Sequence, residues 1–235
     1  MTGYPGRDLE TMSALEGYTR FILESLGGAP TGDVLEVGAG IGNVATHYLG
    51  GAASVVLVEP DVALCARLRE RVGADPKVRV LCATLEQAVE RGDVAAARFD
   101  FAVLVNVLEH VDDDVGLLRL LGSRLVPGGR LLLFVPALPA LFGSLDEAVG
   151  HVRRYLRHTL ASAVTGAGLV IEQLGYVDLL GVVPWFIAGR VLRRPGLDPV
   201  AARLYDKIGV PLSRALERRV HPPIGRNLAC VARAP

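Results

Sequence analysis

The sequence predicts an α/β fold: a doubly wound, Rossmann-like, mostly parallel sheet of seven strands, with an N-terminal helix and a helical insertion before the last strand. Three observations predict it. Runs such as Phe101-Ala-Val-Leu-Val-Asn106 and Arg130-Leu-Leu-Leu-Phe-Val135 are apolar at consecutive positions, as parallel strands covered by helices on both faces must be. These runs alternate with helical stripes through 33–177. The first of them, Asp33-Val-Leu-Glu-Val37, leads directly into a glycine turn at Gly38, Gly40 and Gly42.

Each element follows from its own pattern. Leu15, Tyr18, Ile22 and Leu26 make a helical stripe over 9–26, closed by Gly27-Gly28. The spacing then predicts strand 33–37, helix 43–49, strand 54–59 and helix 61–72, the last with Leu64, Cys65, Leu68 and Val72 on one face. Strand 78–82, helix 85–91, strand 99–106, helix 113–125 and strand 129–136 continue the alternation. Residues 137–155 read as a polar-studded connection, 158–167 as a helix closed by Gly168, and 169–177 as a strand. The segment 178–223 has an apolar first half and a helix starting at Asp198-Pro199, where Asp caps and Pro suits the first turn. Pro211 is expected to kink or end that helix. A last strand, 227–232, returns to the sheet. The expected organisation is one domain over 1–235: leading helix 1–30, cofactor-binding core 31–177, helical flap 178–223 on one sheet edge, and last strand 224–235.

Composition narrows the function. The net charge is +0 at pH 7, so there is no surplus of Lys and Arg of the kind nonspecific nucleic-acid binding needs, and no nucleic-acid partner is expected. The basic residues are nearly all Arg, with Lys only at Lys77 and Lys207, which reads as the coding bias of a GC-rich genome. Cys65, Cys82 and Cys230 match neither a disulfide framework nor a zinc spacing, so they are expected as small buried hydrophobes in a reducing cytosol. The first eight residues contain no apolar signal-peptide core, and a cytoplasmic location is expected. The longest apolar run, 179–189 with Pro184 inside, is too short to span a bilayer. It leaves contact with a membrane surface open but not expected.

The glycine turn and the acid after it carry the chemistry. A turn of this kind brings backbone close to a nucleoside, and Glu59, twenty-one positions after Gly38, can accept both ribose hydroxyl hydrogens from the neighbouring strand tip. Dinucleotide sites favour G-x-G-x-x-G, whereas here the spacing is G-x-G-x-G with Glu36 just before it. A carboxylate there suits a sulfonium or ammonium better than a pyrophosphate. S-adenosyl-L-methionine carries both cations.

Leu35-Glu-Val-Gly-Ala-Gly-Ile-Gly42, Val58-Glu-Pro-Asp61, Asn106-Val-Leu-Glu-His-Val111 and Pro127-Gly-Gly-Arg130 resemble the successive motifs of class I S-adenosylmethionine-dependent methyltransferases. Gly17-Tyr-Thr-Arg-Phe-Ile22, Gly143-Ser-Leu-Asp146 and Gly150-His-Val-Arg-Arg-Tyr155 are similar to a bacterial small-molecule subgroup of that superfamily. The resemblance implies that Gly38, Gly40 and Gly42 line the cofactor with Glu36, and that Glu59 holds the ribose beside Pro60. It implies that Asp61, Thr84, Leu85 and Glu86 surround the adenine, and that Asn106, Val107 and His110 lie near the methionine portion. Thr84 reads equally as a helix N-cap. Tyr18, on the leading helix, would close over the cofactor or simply pack; Arg20 would meet a carboxylate or lie on the surface.

For the acceptor end, Asp146, Glu147, His151, Arg153, Arg154 and Tyr155 form a polar cluster in an apolar chain. His151 is the leading candidate base, with His110 and Tyr155 as further catalytic candidates. The alternative is that His151 and the two arginines tie the connection to the sheet. Asp112, Asp113 and Asp114 read as acids stabilising the next helix start, and no metal is expected. Leu179, Leu180, Val182, Val183, Trp185 and Phe186 would cover a small hydrophobic or aromatic methyl acceptor, or pack on the sheet edge. The rival functions are a nicotinamide-dependent oxidoreductase, a noncatalytic cofactor-binding protein, and a methyltransferase acting on a lipid or polyprenyl substrate at a membrane surface.

Overall fold

A computed structural model describes residues 8–96 and 98–235. The reading of the first residues as free of a signal segment falls almost wholly outside them. The sheet has seven strands: β1 (Gly32–Val37), β2 (Ala52–Val58), β3 (Val78–Leu81), β4 (Phe99–Val105), β5 (Leu125–Pro136), β6 (Val170–Val177) and β7 (Asn227–Arg233). Their order is β3-β2-β1-β4-β5-β7-β6, parallel except for β7, which runs antiparallel between β5 and β6. The order reverses between β1 and β4, so the carboxyl ends of these two strands flank a crevice of the kind where open α/β sheets bind ligands.

Two apolar layers cover the sheet because its central strands are apolar on both faces. On one side Leu35, Ala102, Leu104, Leu131 and Leu133 meet α4 (Leu85–Glu90), α5 (Asp114–Gly122) and α7 (Arg157–Gly166). On the other, Val34, Leu57, Val103, Leu132 and Phe134 meet α2 (Glu16–Ser25), α3 (Val62–Val72) and α10 (Val210–Glu217). Consecutive residues of one strand therefore alternate between the two layers.

Several elements differ from the sequence expectation. The leading helix is two helices, α1 (Asp8–Ser13) and α2, because the Ser13 hydroxyl bonds back to Glu10 O at 2.7 Å and the chain turns at Leu15. The break lets α1 lie over the glycine turn, where Asn43 Nδ2 donates to Leu9 O at 3.1 Å. Predicted helix 43–49 shrinks to one 3₁₀ turn, Ala45–His47. Its Thr46 hydroxyl bonds Gly42 O at 3.1 Å, and Gly50-Gly51 follow after Tyr48 and Leu49. The connection 137–155 contains α6 (Ser144–Val149), and β5 starts four residues early, at Leu125. Cys65 and Cys82 are joined in a disulfide, not reduced as expected, with Cα atoms 5.8 Å apart. Packing of α3 against the sheet beside β3 brings together cysteines 17 residues apart, a proximity no local spacing announces. Cys230 is free and buried, as expected.

The segment between β6 and β7 carries α8 (Val182–Phe186), α9 (Pro199–Leu204) and α10. Pro211 does not end its helix: a π-helical stretch, Tyr205–Gly209, precedes it and leads straight into the first turn of α10. A widened turn absorbs the carbonyl that a missing N–H leaves free. The same stretch supplies Asp206, whose carboxylate accepts from Tyr18 N at 2.6 Å and Gly17 N at 3.3 Å, capping α2 from a distance of 188 residues in sequence. Nearby, Arg226 Nε lies 2.7 Å from Asp178 Oδ2, an ion contact off the hydrogen-bonding axis, with the Asp178 side chain only 1% exposed. The guanidinium also stacks over Tyr18, Trp185 and Tyr205, with centroid distances of 4.9, 5.1 and 5.8 Å. One buried cation thus joins the leading helix, the flap and the start of β7.

Removing Asp178 strands that cation in an apolar setting, a change that costs about 3–5 kcal/mol when one partner of a buried pair is lost. Asp178→Ala is expected to lower the urea midpoint accordingly; a loss under about 1 kcal/mol would show that the rings alone hold Arg226.

Candidate active site

A cavity of ≈ 2120 Å³ opens at the carboxyl ends of β1, β2, β4 and β5, walled by α1, α2, the glycine turn, the connection after β5 and the flap. Drug-sized ligands occupy roughly 300–1,000 Å³, so there is space for a nucleoside cofactor and a second molecule.

At the glycine turn, Gly38 has φ +72° and Gly40 φ +56°, conformations that favour residues without a side chain. A Cβ on Gly38 would lie 2.3 Å from Val107 Cγ2, so β1 and the loop after β4 meet at a distance only glycine permits. Gly40 N donates to Glu59 Oε2 at 2.8 Å and Asp61 N to Glu59 Oε1 at 2.9 Å, fixing that carboxylate at the tip of β2 with one further lone pair on each oxygen. Burial pushes the Glu59 carboxyl up despite these two bonds. Glu36, at the tip of β1, is buried too and accepts a hydrogen bond from the Tyr48 hydroxyl. Desolvation pushes its pKa up to about 7, against the Tyr48 bond and helped by the Glu59 charge. Two carboxyl groups therefore share one poorly solvated wall, an arrangement that fits a cationic nucleoside.

Pro60, Asp61, Thr84, Leu85, Glu86, Asn106, Val107 and Tyr18 all line the cavity. Asp61 also caps α3, accepting from Ala63 N and Leu64 N at 2.8 and 2.9 Å. Thr84 forms a reciprocal capping box with Gln87, which is the N-cap role its sequence allowed. Asn106 takes φ +53°, a strained conformation for a residue with a side chain, at the mouth of β4. Tyr18 receives a hydrogen bond from Asn227 Nδ2 at 2.9 Å, and burial pushes its hydroxyl up to about 12. Arg20 points away and pairs with Glu16 on the surface.

At the far end, five groups converge. His151 Nδ1 lies 2.8 Å from Asp146 Oδ1, and its Nε2 lies 3.5 Å from Glu109 Oε1. Burial pushes Asp146 up, but bonds and charges from His151 and Arg154 outweigh it and hold the carboxyl low, so Asp146 accepts and His151 Nδ1 carries the proton. With the proton on Nδ1, Nε2 is the acceptor nitrogen of the ring. His110 stands edge-on to His151, ring centroids 4.8 Å apart, with Nδ1 3.1 Å from Gly150 O. Burial, reinforced by His151, brings its pKa down to about 4, so it is neutral near pH 7. Glu109 is fully buried with neither oxygen hydrogen-bonded, and desolvation pushes it up to about 7. Arg154 completes the cluster: it donates Nε to Asp146 at 2.8 Å and Nη1 to Ala137 O at 2.9 Å, and it stacks on Trp185.

Three expected site residues lie elsewhere or are turned away. Tyr155 is packed in the core between the sheet and α7, its hydroxyl donating to Asp114 Oδ2 at 2.9 Å, so it does not reach the cavity. Its period-two place on a chain bridging to Ala137 turns it inward. Gly42 faces α3, where a Cβ would meet Leu68 Cδ1 at 2.9 Å; it serves helix packing, not ligand approach. Arg153 reaches Asp114 Oδ2 at 3.2 Å and Asp112 O at 3.0 Å, which ties the connection to α5. Asp113 caps that helix through Gly116 N at 2.8 Å, as acids in a first turn do. Glu109 had no role expected from the sequence, although His110 beside it did. Among the described residues, Glu109, His110 and His151 also bring one ligand atom each within 4.8 Å, a donor set able to hold a metal ion.

Comparison with known proteins agrees with this geometry. The sequence profile of the family described as "Methyltransferase domain" matches residues 11–174. A ubiquinone biosynthesis O-methyltransferase of Xanthomonas euvesicatoria pv. vesicatoria is 29% identical over 189 residues, 72% of this chain and 74% of that protein. The fold resembles that of Burkholderia thailandensis 1,6-didemethyltoxoflavin-N1-methyltransferase with S-adenosylhomocysteine bound, with a TM-score of 0.59, 21% identity and coverage of 97% and 81% of the two chains. It also resembles a geranyl diphosphate methyltransferase in complex with S-adenosylmethionine, with a TM-score of 0.63, 14% identity and coverage of 94% and 85%. The chain belongs to the methyltransferase-domain family and is a class I S-adenosylmethionine-dependent methyltransferase.

Proposed function

We propose that this enzyme methylates an ionisable oxygen or nitrogen of a small hydrophobic or aromatic metabolite, in bacterial specialised metabolism and in the cytoplasm, with His151 as the base. The observation that carries the reading is the Asp146–His151 pair at 2.8 Å, which leaves Nε2 as the acceptor of a proton at the apolar end of the cavity. A carbon nucleophile is the less favoured acceptor, since a placed base is most useful where an O–H or N–H must lose its proton. The curated relative's O-methyl transfer supports the same preference.

When bound, S-adenosyl-L-methionine supplies a methyl group already activated on a sulfonium. The chain's own residues do the rest by alignment and exclusion of water. Glu59 holds the ribose hydroxyls with its remaining lone pairs. Pro60, Asp61, Thr84, Leu85 and Glu86 surround the adenine, while Gly38, Gly40, Asn106 and Val107 shape the space for the methionine portion. Glu36 faces the cationic end. His151 takes the acceptor proton, and Asp146 and Glu109 stabilise the imidazolium; neutral His110 packs the ring in place. Val183, Trp185 and Ile187 give the acceptor an apolar wall.

Two outcomes test these roles. Because the folded-state pKa of Glu36 is raised from 4.5 to about 7, its contribution to stability is complete below 4.5 and is lost as the pH rises through about 7. Glu36→Gln is therefore expected to gain stability over wild type between those values, by about 3 kcal/mol at most, in urea titrations. Wild type is expected to bind S-adenosylmethionine more tightly at pH 8 than at pH 6 by calorimetry, and the same variant is expected to lose that tightening. An unchanged pH slope would remove Glu36 from the cationic end.

His151→Ala is expected to lower turnover by about 10²-fold or more with cofactor affinity intact, and to erase the rise of kcat with pH. A pH profile like that of wild type would exclude His151 as the base. Under this reading EDTA leaves turnover unchanged; loss on chelation, restored by a divalent cation, would reassign Glu109, His110 and His151 as ligands.

A further inference from the structure

The surface of this protein is unevenly apolar. Of the sixteen large hydrophobic residues found exposed among the described residues, twelve lie within 178–223, between β6 and β7. Leu204, Ile208, Leu212 and Leu216 recur every four residues along α9, the π-helical stretch and α10, with Val220 continuing the spacing just past the helix end, and are 58, 54, 55, 38 and 53% exposed. An unbroken stripe of this kind on a helix is normally buried against something.

Charge says what covers it. The segment 178–223 holds eight Lys or Arg against four Asp or Glu, in a chain whose net charge is +0, so the flap is positive and the remainder is negative. Arg203 and Lys207 are exposed beside the stripe, each next in sequence to one of its members. Exposed apolar side chains interleaved with basic ones are the surface of an interfacial helix, whose apolar side enters the headgroup boundary while its cations meet lipid phosphates. No helix among the described residues is long and apolar enough to cross a membrane, so the contact is with the surface.

We propose that the flap docks on an anionic lipid bilayer through the stripe from Leu204 to Val220. The cavity gives the docking a purpose. Ile187, Leu192, Leu204 and Ile208 are exposed and also line the open cavity, so the stripe adjoins its rim. A lipid-soluble acceptor passes from the bilayer past these residues without crossing water. This last step rests on the methyl-transfer reading above; the docking itself does not.

Vesicle flotation of the purified full chain tests the docking, with phosphatidylcholine vesicles and with vesicles that also contain phosphatidylglycerol. Wild type is expected to float with the anionic vesicles and to be released by added salt. The double variant Leu212→Asp with Leu216→Asp, outside the cavity lining, is expected to lose about tenfold or more of that binding while keeping the wild-type thermal melt and cofactor affinity. Arg203→Glu with Lys207→Glu is expected to lose the preference for anionic over neutral vesicles. The proposal is overturned if wild type stays unbound with both vesicles, or if the leucine variant floats as wild type does. It is equally overturned if wild type is a dimer that the leucine variant converts to a monomer, since the stripe would then meet a second copy. Turnover of a water-soluble acceptor by the leucine variant separates the two readings: docking lost with turnover kept leaves the methyl-transfer reading standing.

Discussion

Two carboxyl groups held out of water at the ends of adjacent strands set the terms for the rest of the site. Glu36 and Glu59 stand at the tips of β1 and β2, both nearly inaccessible, each retained by hydrogen bonds from its own neighbourhood. Such groups are costly to ionise unless a cation or several donors face them. The glycine turn between them supplies the donors for Glu59 and clears the space, because Gly38 meets Val107 where no side chain fits. In the proposed reading the cofactor's positive charges and ribose hydroxyls complete what the backbone leaves unfinished. A pyrophosphate beside Glu36 would add charge to charge, which is the physical reason this turn does not suit a dinucleotide.

The remaining elements enclose that wall. Asp206 caps α2, and Arg226 is shared between Asp178 and the rings of Tyr18, Trp185 and Tyr205, so the leading helix and the flap are held by charges placed between them and not by apolar contact alone. At the other end, Asp146 bonds both His151 and Arg154, and Arg154 lies against Trp185. The histidine orientation therefore depends on the same connection that walls the cavity. Sequence distance is large in the links that join the leading helix, Trp185 and Arg226, which is why the flap is part of the site despite following the whole cofactor-binding core.

The parallel strands were legible because burial on both faces leaves continuous apolar runs, and the glycine turn because its spacing follows a strand directly. Element ends were harder. Thr46 and Ser13 divert their hydroxyls to nearby carbonyls and shorten helices that hydrophobic periodicity alone extends. Asp146 and His151 were visible as a polar cluster, but the cluster separates in space: Arg153 and Tyr155 turn toward α5, and only His151 and Arg154 reach the cavity wall, with Asp146 buried behind them. Glu109 gave no local signal, since a carboxyl becomes chemically unusual only when the fold removes its water. The Cys65–Cys82 bond depends likewise on the packing of α3, and the outward stripe of the flap on helix rotation that composition does not encode.

A crystal structure with S-adenosylhomocysteine tests the central claim most directly. The account predicts both ribose hydroxyls on the Glu59 carboxylate and the amino-acid end of the ligand over the Gly38–Gly40 turn beside Glu36. A ligand seated with its ribose away from Glu59, or with a bound dinucleotide preferred in its place, would contradict it.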